Sequence, residues 1–419
     1  MKKYFMSVAA LAGMMSLAAC SSDDIVSPAD NDVQTIKIAV ASTGDKSTRS
    51  RDLNSEEPNQ NIENVAVVIR NKATNAVVYH KVIANWNTDE VSSIYTDNGH
   101  GRECTLKLEG ADRLNAGEYT ITAVGYTAAD FKNNTIESAT GVVAGNFTAE
   151  VADGKAAQEA FAGESSINLL ADHAAINTSV TLHRQVAGYY GYFTSIPVKV
   201  DNKEVTNVRL VARSKNMKLT YGNFNSSFTT TNSDIMYVVN GSEAATTKDA
   251  KFNGSAENDA YTVYNIKVAD WFTKGDTNKD GILDEKDDWT NALAAKGYLT
   301  YQQGTIFAGG FAVPFAAADA ATLELQLLDV NGEILKSWTV EMATAQPAGQ
   351  DVDKVALPAE TTQNFSFFRN HMYTLGKKMD NTNTPGTTPD QPEPLDKSQS
   401  MILRVNDNWE VINRMTIGD

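Results

Sequence analysis

Disulfide bonding has little to work with in this chain. It holds two cysteines in 419 residues, Cys20 and Cys104, and a single pair so placed cannot staple a fold of this length. Basic charge is also scarce. Lys and Arg number 36 against 52 Asp and Glu, giving a net charge of −16, which excludes the basic footprint of nucleic-acid binding and suits an acidic, soluble surface. Beyond the first twenty residues no apolar run approaches the ~20 residues a membrane-spanning helix needs. Catalytic motifs are missing as well. The histidines His80, His100, His173, His183 and His371 form no His-Glu-x-x-His or His-x-His pair, and there is no Gly-x-Ser-x-Gly elbow, phosphate-cradling glycine loop or Cys-x-x-Cys. The reading is of a protein that is not an enzyme, a surface glycoside hydrolase being the least supported class.

What is present begins at the front. Met1-Lys2-Lys3 and an apolar run from Phe5 lead to Leu17-Ala18-Ala19-Cys20. That order is an export signal over residues 1–19 with a lipobox, so Cys20 is the expected lipidation site. Ser21-Ser22-Asp23-Asp24 follows as a short acidic tract. Cys104 is then left alone in the alternating stretch Cys104-Thr105-Leu106-Lys107-Leu108, where it reads as a small core residue.

The rest of the chain, about 400 residues, suggests about two domains. Thr35-Ile36-Lys37-Ile38-Ala39-Val40 alternates with period two, placing Ile36, Ile38 and Val40 on one face of a first strand. A polar stretch from Ser42 to Asn61 carries Arg49 and Arg51. Past Ile62 strands recur about every ten residues: Val65–Ile69, Val77–Tyr79, Gly117–Val124, Ser166–Leu170 and Thr178–Leu182. A second set follows a boundary near 184–192. It includes Ile196–Val200, Val205–Ala212, Ile235–Val239, Tyr261–Val268, Leu323–Leu328, Ile334–Val340 and Phe365–Leu375. This spacing indicates sandwiches rather than βαβ units. Tyr189, Tyr190, Tyr192 and Phe193 read as core rather than as a sugar platform. One helix is expected from Asp284 to Lys296, with Leu283, Ala292, Leu293 and Tyr298 packing inward. Residues 380–400 are a Pro/Thr/Asp linker able to extend roughly 60–70 Å. Beyond it Met401, Leu403 and Val405 form one apolar series, and Trp409, Val411, Met415 and Ile417 a second. Such a tail must dock either on its own domain or on another subunit.

The lipobox, Thr48-Arg49, Ala116-Gly117-Glu118-Tyr119-Thr120, Leu182-His183-Arg184-Gln185-Val186-Ala187 and Phe368-Arg369-Asn370-His371-Met372-Tyr373 together resemble the Bacteroidales fimbrillins. These are the FimA-like and Mfa-like pilins of type V pili. The resemblance covers nearly the whole chain. It implies an all-β protein of two tandem transthyretin-like β-sandwiches, residues 50–185 and 186–379, exported as an outer-membrane lipoprotein and carried into a cell-surface fimbrium that supports adhesion. It implies a propeptide over 20–49 that an arginine-specific or trypsin-like protease removes, with Arg49 favoured and Arg51 the alternative. The emptied groove then takes a strand from another copy, with other pilus subunits as further partners. Ile36, Ile38 and Val40 would vacate it. Met401, Leu403 and Val405, with Trp409 and Val411, would refill it from a donor segment at 401–419, a tail that marks a stalk subunit rather than a tip. Burying five such side chains is worth about 8–15 kcal/mol before ordering costs. Arg184 and Arg369 match family positions and read as structural. The competing reading is a non-polymerising surface lipoprotein that binds glycan or protein.

One more motif stands apart from the resemblance. Asp276-Thr277-Asn278-Lys279-Asp280-Gly281-Ile282-Leu283-Asp284-Glu285-Lys286-Asp287 has the ligand spacing of an EF-hand loop. Side chains of Asp276, Asn278, Asp280 and Asp287, the Ile282 carbonyl and a water on Asp284 would hold a structural Ca2+. The pattern is dockerin-like, closing on Asp rather than Glu.

Overall fold

The computed structural model describes residues 33–40, 62–94, 102–139, 147–152, 157–212, 218–221, 262–294, 301–313, 323–342, 372–376, 390–397 and 401–406. Their regular secondary structure is nearly all strand. In chain order the first group is β1 (Gln34–Val40), β2 (Asn64–Asn71), β3 (Val77–Ile83), β4 (Ser93–Ile94), β5 (Arg102–Leu108), β6 (Gly117–Tyr126), β7 (Phe131–Lys132), β8 (Thr148–Val151), β9 (Phe161–Leu169) and β10 (Ile176–Arg184). Then come β11 (Ala187–Thr194), β12 (Ile196–Pro197), β13 (Lys199–Val200), β14 (Lys203–Glu204), β15 (Asn207–Ala212), β16 (Lys218–Thr220), β17 (Thr262–Lys267) and β18 (Ile282–Leu283). The last are β19 (Thr305–Ala312), β20 (Leu323–Leu328), β21 (Ile334–Met342), β22 (Met372–Leu375), β23 (Glu393–Pro394) and β24 (Met401–Asn406). Two four-residue helices, α1 (Thr135–Ser138) and α2 (Val268–Trp271), interrupt them. Among the described residues no helix is long and apolar enough to cross a membrane.

The first eight-stranded sheet runs β3-β2-β6-β9-β10-β1-β5-β4. β9 and β10 pair only at His183 with Ala162 and Arg184 with Phe161, so the sheet folds over at that corner into two layers. Ile36, Ile38, Val40, Leu106, Leu108, Val180 and Leu182 of one layer share an apolar core with Val65, Val67, Ile69, Ile121 and Ala123 of the other. This is the sandwich that alternating sequences build. β2 departs from strict alternation because its other face is covered too: Ala66 and Val68 belong to a second, larger core, and a strand buried on both sides reads as a continuous apolar run.

The chain leaves the first sheet at Arg184 and enters the second at Ala187. That sheet runs β17-β15-β20-β21-β24-β22-β11-β19, with β23 attached to β11. Tyr189, Tyr190, Tyr192 and Phe193 are buried in its core. Gly191 sits among them where a Cβ would collide with the Tyr264 hydroxyl, so the packing of Tyr264 requires glycine there. The two sandwiches are joined beyond the covalent chain, since β16 adds to β8 and β7 in a small three-stranded sheet.

The helix expected over 284–296 is not formed across its described part, 284–294. Asp287 Oδ2 accepts from the Asp284 N–H at 3.1 Å and Asp284 Oδ1 from the Lys286 N–H at 2.9 Å. These side-chain bonds take up the amides and favour turns over a helix. Leu283 does pack inward, but as part of β18, antiparallel to β12; Leu293 is half-buried and Ala292 exposed. Tyr298 and the Ile235–Val239 segment lie outside the described residues.

Candidate functional site

β1 occupies a slot bounded on both edges. It runs parallel to β10 from Gln34 opposite Ile176 to Val40 opposite Leu182, and antiparallel to β5 from Gln34 opposite Leu108 to Ala39 opposite Glu103. Ile36, Ile38 and Val40 are fully buried. Removing this one strand would leave two unpaired ladder edges above an apolar trough.

The strand's position is fixed by a residue that apolar patterning did not bring out. Gln34 is 0 % exposed and in phase with Ile36, Ile38 and Val40. Its Nε2 donates to Leu114 O at 3.0 Å and to Ala174 O at 2.9 Å, and its Oε1 accepts from Leu114 N at 2.7 Å. A buried amide with donors and acceptor satisfied pins register, because a slip would leave several buried polar groups unpaired. The available signal was a lone polar residue at an inward position. On the outer side Thr35 Oγ1 donates to Ile176 O at 3.1 Å, and Lys37 Nζ lies 2.7 Å from Glu103 Oε2. Cys104 stands directly opposite Ile38. It is half-buried, and burial pushes its thiol up to about 11.

The tail strand has a different seat. β24 links β21 to β22 within the second sheet: Met401–Leu403 run parallel to Val340–Met342, and Arg404–Asn406 run antiparallel to Met372–Thr374. Each half of the strand is thus paired on one edge, whereas most of β1 is paired on two. The backbone of Met401, Leu403 and Val405 therefore lies with its own second sheet in this structure. Cys20, Arg49, Arg51, Arg369, Trp409 and Val411 lie outside the described residues.

The Asp276–Asp287 loop is self-satisfied. Asp276 Oδ1 accepts from Lys279 N at 2.6 Å and its Oδ2 from Gly281 N at 2.9 Å. Gly281 is at φ +89°, a left-handed conformation that favours glycine. Asn278 Oδ1 accepts from Asp280 N, and Asp280 Oδ1 from Ile282 N. Asp287 closes the loop by accepting from Thr277 N at 2.8 Å and from Asp284 N. Burial alone would raise the Asp287 carboxyl, but these backbone donors outweigh it and hold the group below the usual carboxylate range. Lys286 Nζ lies 3.1 Å from Asp284 Oδ2 and 3.6 Å from Asp280 Oδ2. Among the described residues no group of three or more His, Cys, Asp or Glu stands ready to hold a metal ion.

No protein-family model and no curated protein sequence matches this chain. Solved structures of Bacteroidales fimbrial and adhesin proteins do. A Parabacteroides distasonis protein, described as a candidate cell adhesion protein, is 11% identical with a TM-score of 0.44, covering 90% of this chain and 95% of that one. A fimbrial assembly protein from the same species is 13% identical with a TM-score of 0.34, covering 83% and 92%. The fimbrial anchor protein Mfa2 of Porphyromonas gingivalis is 13% identical with a TM-score of 0.35, covering 85% and 94%.

Proposed function

We propose that this protein is a structural pilus subunit that polymerises by strand exchange on the bacterial surface. Proteolysis in the 41–61 connection, after Arg49 or Arg51, frees β1, and the 401–419 tail of another copy takes its place. The observation that carries this reading is the β1 slot: a single strand near the front of the chain, paired on both edges, fills an otherwise complete sandwich. An incoming strand there regains main-chain hydrogen bonds and apolar pockets together. The tail is a suitable donor because its present seat offers each half of β24 only one pairing edge. A head-to-tail contact of this kind does not close on itself, so it extends into a filament. Lipidation at Cys20 would hold the precursor at the outer membrane, and the filament would support adhesion.

Deleting residues 401–419 tests the reading. The intact chain treated with an arginine-specific protease is expected to give ladder-forming polymers with a mature N-terminus at residue 50 or 52, and the deleted chain none. Monomers from both would favour the non-polymerising surface binder, and fibres that keep β1 would overturn strand exchange.

Calcium at the 276–287 loop is a separate proposal. Its support is the EF-hand spacing, the Asp276 oxygens turned to the Lys279 and Gly281 amides, and the sharp turn at Gly281. Binding would require Asp287 and Lys286 to give up some of their present partners. Millimolar calcium is expected to raise Tm by about 2–5 °C in scanning calorimetry, in line with about 1–2 kcal/mol of linkage, and Asp276→Ala to abolish the shift. An unchanged Tm in the intact protein would leave the loop as a metal-free turn.

A further inference from the structure

The displaced strand and the tail carry the same pattern. β1 reads Gln34-Thr35-Ile36-Lys37-Ile38-Ala39-Val40, and the tail contains Gln399-Ser400-Met401-Ile402-Leu403-Arg404-Val405. A glutamine, a small hydroxyl residue and three apolar residues at alternate positions recur in the same order.

Building on the strand-exchange reading, we infer that Gln399 replaces Gln34 in the acceptor's buried amide clamp and so fixes the register of the donor strand. Met401 then enters at the Ile36 position, Leu403 at Ile38 and Val405 at Val40.

The clamp explains why a glutamine is needed. When β1 leaves, Leu114 N, Leu114 O and Ala174 O lose the three bonds that Gln34 gave them. A carboxamide at the same position restores all three, whereas an apolar side chain leaves Leu114 N and Ala174 O without these bonds and Leu114 O with only the His173 N–H. Other registers fail on the same counts. Moving the tail so that Met401 meets the clamp puts Asp407 at the fully buried Val40 position. Moving it two residues the other way puts Gln399 at Ile36. A one-residue slip turns the apolar set to the outer face. Using the second apolar series, with Trp409 at Ile36 and Val411 at Ile38, puts Asp407 at the clamp and Asn413 at Val40. The outer edge gains as well. Lys37 leaves Glu103 when β1 departs, and Arg404 arrives at the Ala39 position, whose antiparallel partner is Glu103. The fit there is tighter, since Ala39 is 5 % exposed.

Cys104 gives a direct test. It stands opposite Ile38, and therefore opposite Leu403 of the donor in this register. Cys20 leaves with the cleaved segment, so Cys104 becomes the one native thiol of the two-cysteine chain. Full-length Leu403→Cys, cleaved and oxidised with copper phenanthroline, is expected to give intersubunit disulfide ladders that dithiothreitol dissolves. Met401→Cys and Val405→Cys, offset by two residues, are too far for direct bridging and are expected to give only non-covalent polymers. Covalent ladders from the 401 or 405 variant instead of the 403 variant would overturn the register while leaving strand exchange standing. Absence of polymers from the unsubstituted protein would overturn both.

A second pair of variants reads the clamp itself. Gln399→Leu is expected to speed polymer dissociation in denaturant about ten- to a hundred-fold, the effect of stranding buried polar groups. Gln34→Leu should do the reverse, weakening the precursor and leaving polymers unchanged. Polymers of Gln399→Leu that dissociate at the unsubstituted rate would overturn the clamp.

Discussion

Replacing Ile36 and Ile38 together with alanine is expected to destabilise the uncleaved chain by about 4–8 kcal/mol. Both side chains are fully buried between the two layers of the first sandwich, in the same cluster as Leu106, Leu108, Val180 and Leu182. Truncating them removes transfer energy and leaves cavities that rigid neighbours fill only in part. The two sites share neighbours, so the costs will not add simply. The measurement is the urea midpoint of the first sandwich in the intact precursor. The same variant, once cleaved and polymerised, should dissociate like the unsubstituted polymer, because the altered strand has gone. A polymer weakened as much as the precursor would mean that β1 stays seated, and strand exchange would be wrong.

Neutralising Glu159 is expected to cost about 3–5 kcal/mol. Arg184 is 0 % exposed and Glu159 2 %, and Arg184 Nη2 lies 2.5 Å from Glu159 Oε1. The guanidinium also sits over the Phe161 ring, 5.0 Å from its centroid. This pair lies at the corner where β9 and β10 meet and where Gln185 N donates to Ala160 O on the way to β11. Glu159→Gln keeps the shape but removes the carboxylate charge that Arg184 Nη2 faces, in a pair that is buried on both sides. Glu159→Leu combined with Arg184→Met removes both charges and is expected to recover most of the loss, as paired apolar replacement of buried ions does. A double-mutant cycle on urea midpoints checks both statements; additive losses would show that the two groups act independently. Arg184, read from sequence as structural, thus has a definite task at the junction of the sandwiches.

Much of the fold was legible along the chain. Period-two alternation located β1, β5 and β6, and β20 falls on the residues that the pattern marks. Alternation works best in β5, where Leu106 and Leu108 are buried while Thr105 and Lys107 are exposed; β6 is buried on both faces over its second half. The pattern was weaker where both faces are covered, as in β2 and β11, and where polar side chains bond the local backbone. That second effect replaced the expected helix after Leu283 with turns at Asp284 and Asp287. Of the candidate site, the apolar triad Ile36, Ile38 and Val40 was readable. The Gln34 clamp was not, since its partners lie 80 and 140 residues away.

The sequence by itself determined an all-β chain with an apolar strand at each end and the same glutamine-led pattern in both. These properties are local: residue identity and period decide them. Only the tertiary structure decided that β1 is held on two edges while β24 links β21 to β22 within the second sheet, and that Leu114 and Ala174 converge on Gln34. Those facts depend on which distant backbone groups are brought within hydrogen-bonding distance, and no local pattern of side chains encodes that.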